Sequence, residues 1–229
     1  MAHPDDSSPV NPLPPVIAAL ALFIIGIEAA FSLGARGILG GPDAVGWRLA
    51  AVQRFGFSGE VLDWMMATGQ YPLQHVIRFV TYPFVHASFT HVLFASVMLL
   101  ALGKMVGEVI GNLRTLVIFV ISGIGGALSY ALFLDTGAPL IGAFPPVYGM
   151  IGAFTYLLWL RLGQMGGSQI RAFNLIGILL GVQLVFGLLF GASDDWVADL
   201  GGFATGFVLI VFLVPGGWAR ILRKLRQQD

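Results

Sequence analysis

Apolar residues in this chain run in long blocks, and the polar residues gather between them. A block of about 20 mostly apolar residues is long enough to cross the hydrocarbon core of a membrane as a helix. The pattern predicts six such helices: Pro15 to Gly34, interrupted only by Glu28, then Thr90 to Val106, Leu116 to Leu134, Pro146 to Leu160, Phe173 to Phe190 and Trp196 to Val214. The fourth is short because glycine and proline break its approach, "PLIGAFPPVYGMIGAF" (Pro139 to Phe154). A long connection, Ala35 to His86, separates the first two. Its stretches "WRLAAVQRF" and "VLDWMMATGQYPLQHVIRFVTYPF" interleave aromatics with arginines. Such amphipathic stretches lie in the headgroup region with the apolar face down. The connection therefore reads as an interfacial anchor or, more sharply, as a lateral gate or docking surface. The expected architecture is an all-α membrane protein, a six-transmembrane-helix bundle over 15–214 with a long amphipathic first loop. A disordered, proline-rich tail (1–14) and a basic tail (215–229) flank it.

Composition strengthens this picture. Of 229 residues, 57% are hydrophobic and 10% are charged, against roughly 25% charged in a soluble domain. Without a lipid cover, a surface that apolar would aggregate. The zero formal net charge gives no reason to expect a nucleic-acid partner, and the absence of cysteine excludes disulfides, a thiol nucleophile and thiolate metal sites.

Basic residues set the expected orientation. Lys104 and Arg114 follow the second span, Arg161 and Arg171 follow the fourth, and Arg220, Arg223, Lys224 and Arg226 lie in the C-terminal tail. The alternate connections carry Asp135, or Asp194 with Asp195, and no Lys or Arg. That places both termini in the cytoplasm and the chain in a cytoplasmic (inner) membrane. The first connection departs from the rule with four arginines on the external side; long connections translocate largely regardless of charge.

Three stretches between Arg78 and Gly206 resemble the rhomboid family of intramembrane serine proteases. "RFVTYPFVHASFTHVLFASVMLLALG" is similar to the family's second-span signature H-x-x-x-x-H-x-x-x-N, with His86 and His91 in the histidine places and Ala95 where the family has asparagine. The opening of the fourth span is similar to the family's G-x-S-G. Gly142, Tyr148, Gly149 and Gly152 match, but Phe144 stands at the serine place and Pro145 follows it. "WVADLGGFATGFVL" resembles the sixth-span signature H-x-x-G-x-x-x-G, with Gly202 and Gly206 on one helix face and Asp199 at the place of the general-base histidine.

The family's mechanism needs a hydroxyl nucleophile, a base to take its proton, and donors for the oxyanion. Phe144 has no nucleophilic atom. Ala95 lacks the side-chain donor, a loss worth roughly 100- to 1000-fold in rate where such donors have been removed. Pro145 and Pro146 have no N–H to offer. Hydrolysis by the family's route is therefore not expected. Ser88, Ser96, Ser122, Ser129 and Ser193 are the other hydroxyls near spans, and Ser88, between the histidines, is the least implausible replacement. His86, His91 and Asp199 are expected to gather around the former cavity. They would form a residual hydrogen-bond network or, with less support, a two-histidine, one-carboxylate metal site. Phe144 reads as an apolar plug. Glu28 is expected to face the bundle or snorkel, with no partner evident.

The resemblance implies a pseudoprotease that binds transmembrane segments of client proteins amid membrane lipids, with no cofactor and no bound metal. A rewired serine endopeptidase and a structural membrane subunit are the alternatives. A transporter would show matching broken helices in two halves; only one broken helix is seen here.

Overall fold

The structure, a computed structural model, describes residues 12–190 and 195–214. The expected tail at 215–229 lies outside the described residues, as do residues 1–11 of the N-terminal tail, Ser193 and Asp194. Within the described residues the helices are α1 (Pro15–Ala35), α2 (Trp47–Phe55), α3 (Gly59–Thr68), α4 (Leu73–Val76), α5 (Arg78–Thr81), α6 (Phe89–Ile110), α7 (Asn112–Phe133), α8 (Phe144–Gln164), α9 (Asn174–Phe190) and α10 (Trp196–Leu213). Four of these, α1, α6, α7 and α10, are long and apolar enough to cross a membrane. The chain is thus an all-helical membrane protein. Against the expected six spans, α8 and α9 do not meet that description among the described residues. The reason for α8 is visible in its packing: Pro145 through Ala153 are buried on every side. A helix that touches protein all round has less need of an apolar surface for lipid.

Several boundaries differ from expectation. Helix α6 continues past Val106 to Ile110, and α7 begins at Asn112, so the expected second connection shrinks to Gly111. Gly111 has φ +84°, a left-handed turn that glycine adopts without a Cβ penalty. Lys104 therefore lies on α6, where it pairs with Glu108 at 3.9 Å, rather than in a loop. Helix α8 starts at Phe144, before Pro146, so both prolines occupy the first turn, where a missing N–H costs little.

Glycines bring α8 and α10 into backbone contact. A Cβ at Gly206 would overlap the backbone of Gly149, one at Gly202 would overlap the Pro145 carbonyl, and one at Gly152 would overlap the Phe203 carbonyl. Helix α7 closes against the same pair, with Gly125 on Thr205 and Gly126 on Pro145 and Ala198. Close approach of this kind is what small residues permit in lipid, where dispersion rather than the hydrophobic effect holds helices together. On the other side, α1 lies on α6, with Ile17 set over Gly103 and Pro14 over Gly107.

The long first connection is folded rather than merely laid on the membrane. Trp64, Met66, Tyr71 and Leu73 are exposed on its outer side. Its inner side is tied down. Arg78 donates from Nη2 to the Gln53 carbonyl at 3.0 Å, and Thr81 Oγ1 donates to the Phe55 carbonyl at 3.1 Å. Phe57 and Leu140 exchange backbone hydrogen bonds of 3.0 and 2.8 Å, an isolated antiparallel bridge that fastens the connection to the approach of α8. This bracing role was not legible in the amphipathic pattern.

Candidate functional site

The segment leading into α8 is held from three directions. Leu140 is bridged to Phe57; the Gly142 N–H donates to the Tyr82 carbonyl at 3.0 Å; the Ala143 N–H donates to His86 Nε2 at 3.2 Å. Tyr82 is itself anchored, its buried hydroxyl donating to the Gly123 carbonyl of α7 at 2.8 Å. Gly142 has φ +98°, and a Cβ there would come within 2.5 Å of His91 Nε2. Glycine is needed at 142 for both the turn and the space.

His86 is 1% exposed, and because its Nε2 accepts a hydrogen bond, the neutral ring carries its proton on Nδ1. The rings of His86 and His91 meet edge to face with centroids 4.9 Å apart. The Phe144 ring stacks on His91 at 5.0 Å with 20° between planes. The aromatic ring at 144 thus fills the space beside one of the two signature histidines, where the family resemblance would put a hydroxyl. Ala95, one turn along α6 from His91, is fully buried and offers no donor.

The start of α8 has little to offer an oxyanion. The Gly142 and Ala143 amides are engaged, the Val147 amide donates to the Ala143 carbonyl, and positions 145 and 146 are prolines. Among the described residues the Phe144 amide is the one left at this helix start. Two or more convergent donors are what such a site uses.

The expected gathering of three polar groups is only partly realised. His86 and His91 are together, but Asp199 turns instead to α9, where Gln183 Nε2 donates to its Oδ2 at 2.8 Å. Among the described residues, no three His, Asp or Glu side chains stand close enough to share a metal ion. Tyr148 is buried on α8. Gly202 and Gly206 lie at the α8 contact described above. Ser88 is exposed and caps α6, its Oγ accepting from the His91 backbone N–H at 3.2 Å rather than touching an imidazole. Ser96 and Ser122 are buried.

Glu28 has the partner that the sequence did not reveal. Arg48 of α2 grips it with a two-pronged contact, Nη1 to Oε2 at 2.8 Å and Nη2 to Oε1 at 2.7 Å, and Ser32 Oγ donates to Oε1 at 2.8 Å. The same Nη1 also donates to the His86 carbonyl at 2.7 Å. The ion pair therefore clamps α1, the first connection and the histidine turn together. Burial, reinforced by the neighbouring His91, pushes the His86 imidazole down to about 3. An unfolded histidine titrates near 6.5. The folded protein consequently resists protonation of His86, and its stability is fully present above about 6.5 and declines as pH falls toward 3. Melting temperature in detergent is expected to drop through that interval, and His86→Gln, which keeps an acceptor for Ala143, is expected to flatten the drop.

A helical membrane protein with a glycine-broken approach to a helix enclosed over Pro145 to Ala153, two histidines facing that helix start, and a glycine-stitched partner helix defines an intramembrane scaffold of a recognisable class. A Rhomboid-domain profile matches residues 73–216, more than half of the chain. The chain belongs to the rhomboid family. It is 30% identical over 144 residues to RHOMBOID-like protein 4 of Arabidopsis thaliana, covering 62% of this chain and 36% of that protein. It is 28% identical over 138 residues to Rhomboid-like protease 3 of Toxoplasma gondii, covering 59% of this chain and 51% of that protein. It is 30% identical over 142 residues to Inactive RHOMBOID-like protein 8 of Arabidopsis thaliana, covering 62% of this chain and 38% of that protein. The matched segment thus spans about a third to a half of these curated relatives.

Proposed function

We propose that this chain is a non-proteolytic rhomboid-family protein that binds transmembrane segments of other membrane proteins. The observation that carries the reading is the Phe144 ring stacked on His91 at the start of α8. Phenylalanine has no nucleophilic atom, and its ring occupies one face of the His91 imidazole. Asp199 bonded to Gln183, Ala95, and the two prolines fit the same reading, because each lacks or diverts a group that acyl transfer requires. One relative bears the name Inactive RHOMBOID-like protein 8, so the family accommodates such members. The reading takes α8, 21 residues long and enclosed, and α9, 17 residues long, as the fourth and fifth of six spans. It also takes both termini as cytoplasmic, on the alternation of basic residues, and the membrane as a cytoplasmic (inner) one.

The test is reconstitution of the full chain in lipid vesicles with fluorescently labelled single-span helices. Energy transfer reports association and mass spectrometry reports the length of the helix. The expected result is association with the helix intact. Cleavage, or no association with any helix, contradicts the proposal.

A further inference from the structure

Asp199 lies in the first turn of α10 and is 2% exposed. Its Oδ2 takes the Gln183 amide, but its Oδ1 has no partner, and neither has Gln183 Oε1. Covalent geometry keeps both free oxygens beside the same hydrogen bond. With Asp199 ionised, two acceptors from two helices therefore have no donor among the described residues. The ion pairs among the described residues are Arg48–Glu28 and Lys104–Glu108, and neither involves Asp199. The start of α10 contributes about half a positive charge at best. An acid at membrane depth is costly and ordinarily pairs with a base or lines a functional path.

Helix α9 presents an open outer surface. Gly177 and Gly181 have open space around them, and Ile178 and Val182 are exposed on its outer surface. It leans on the turn Gln169–Phe173 and on α8, and Gln183 to Asp199 is its side-chain hydrogen bond to α10 among the described residues.

We propose that Asp199, with Gln183 as a displaceable cover, binds a lysine or arginine side chain carried within the transmembrane helix of a partner protein. The proposal rests on the helix-binding function above and specifies its chemistry. The incoming cation displaces the Gln183 amide and donates to the Asp199 carboxylate, supplying the charge and the hydrogen bonds that it lacks. A wholly apolar helix gains nothing at this position.

The experiment uses the full chain in vesicles of neutral phospholipid with synthetic leucine–alanine helices. One set carries a single lysine, stepped through the length of the helix, and its twin carries leucine at the same place. Energy transfer is expected to show roughly tenfold tighter association for the best-placed lysine helix, the scale of one interhelical polar contact in model helices. Asp199→Asn is expected to abolish that preference while still binding the leucine twin. Gln183→Leu, which uncovers the carboxylate, is expected to keep or strengthen it, and decides the matter if Asp199→Asn does not fold. Equal binding of both helices by the wild type overturns the site and leaves helix binding standing. A preference surviving Asp199→Asn, or lost in Gln183→Leu, overturns it as well. If neither helix binds, both readings fall.

Discussion

Arg48→Ala is expected to destabilise the folded chain by about 3 kcal/mol, the lower end of the cost of removing one partner of a buried ion pair, since Glu28 is buried and Arg48 is 26% exposed. Glu28 is 2% exposed inside an apolar helix, and without the guanidinium only Ser32 remains to serve its carboxylate. The loss also frees the His86 carbonyl, so the histidine turn loses its tie to α1. Membership of three elements in one contact is why the effect exceeds that of an exposed pair, which is worth at most about 1 kcal/mol. Arg48→Lys is expected to recover little, since one ammonium cannot reproduce two parallel donors and a third bond. Glu28→Gln in the Arg48→Ala background is expected to recover part of the loss by removing the stranded charge. Melting in detergent, followed by tryptophan fluorescence and limited proteolysis of the first connection, measures all three. Equal stability of wild type and Arg48→Ala would show that the clamp is inert.

Gly206→Leu is expected to be damaging on a similar scale. Even a Cβ at 206 meets the Gly149 backbone, which has no rotamer to yield, so α8 and α10 must separate. Overpacking a well-packed core costs about 1–3 kcal/mol, and a clash with backbone belongs at or beyond the upper end. Separation also disturbs Gly202 on Pro145, and with it the start of α8. Gly177→Ala serves as the counterpart, because nothing lies within 4 Å of a Cβ there. That substitution is expected to be neutral or slightly stabilising, as alanine is the better helix former. The two variants compared by melting and by monodispersity on size exclusion separate close approach from general intolerance of glycine replacement.

These two contrasts also mark what the sequence could and could not convey. The glycine spacing of Gly202 and Gly206 is periodic on a helix, so the α10 contact face was readable, although its partner, Gly149 on α8, was not. Phe144, Ala95 and Asp199 were readable as departures from a family pattern, because each changes the chemistry of its place. The Glu28–Arg48 clamp was not readable. Its members lie 20 positions apart, one in a span and one in a connection whose fold follows no hydrophobic period. The Phe57–Leu140 bridge and the His86 bond to the Ala143 amide were hidden for the same reason, since backbone pairing leaves no residue-type signature. Gln183 was overlooked although a signal existed: it is a polar side chain inside an otherwise apolar block, and such a residue in lipid calls for a partner. Helix ends differ from expectation at Lys104 and Arg114 because charged residues can sit on the last and first turns of helices whose ends reach the headgroups.

The most direct measurement of the central claim is exposure of the full chain in vesicles to a fluorophosphonate probe, with mass spectrometry of every serine. The stacked Phe144 and the capped Ser88 predict no covalent adduct above that on a denatured control. An adduct on Ser88 that Ser88→Ala eliminates, together with cleavage of a helix by the wild type alone, would contradict it.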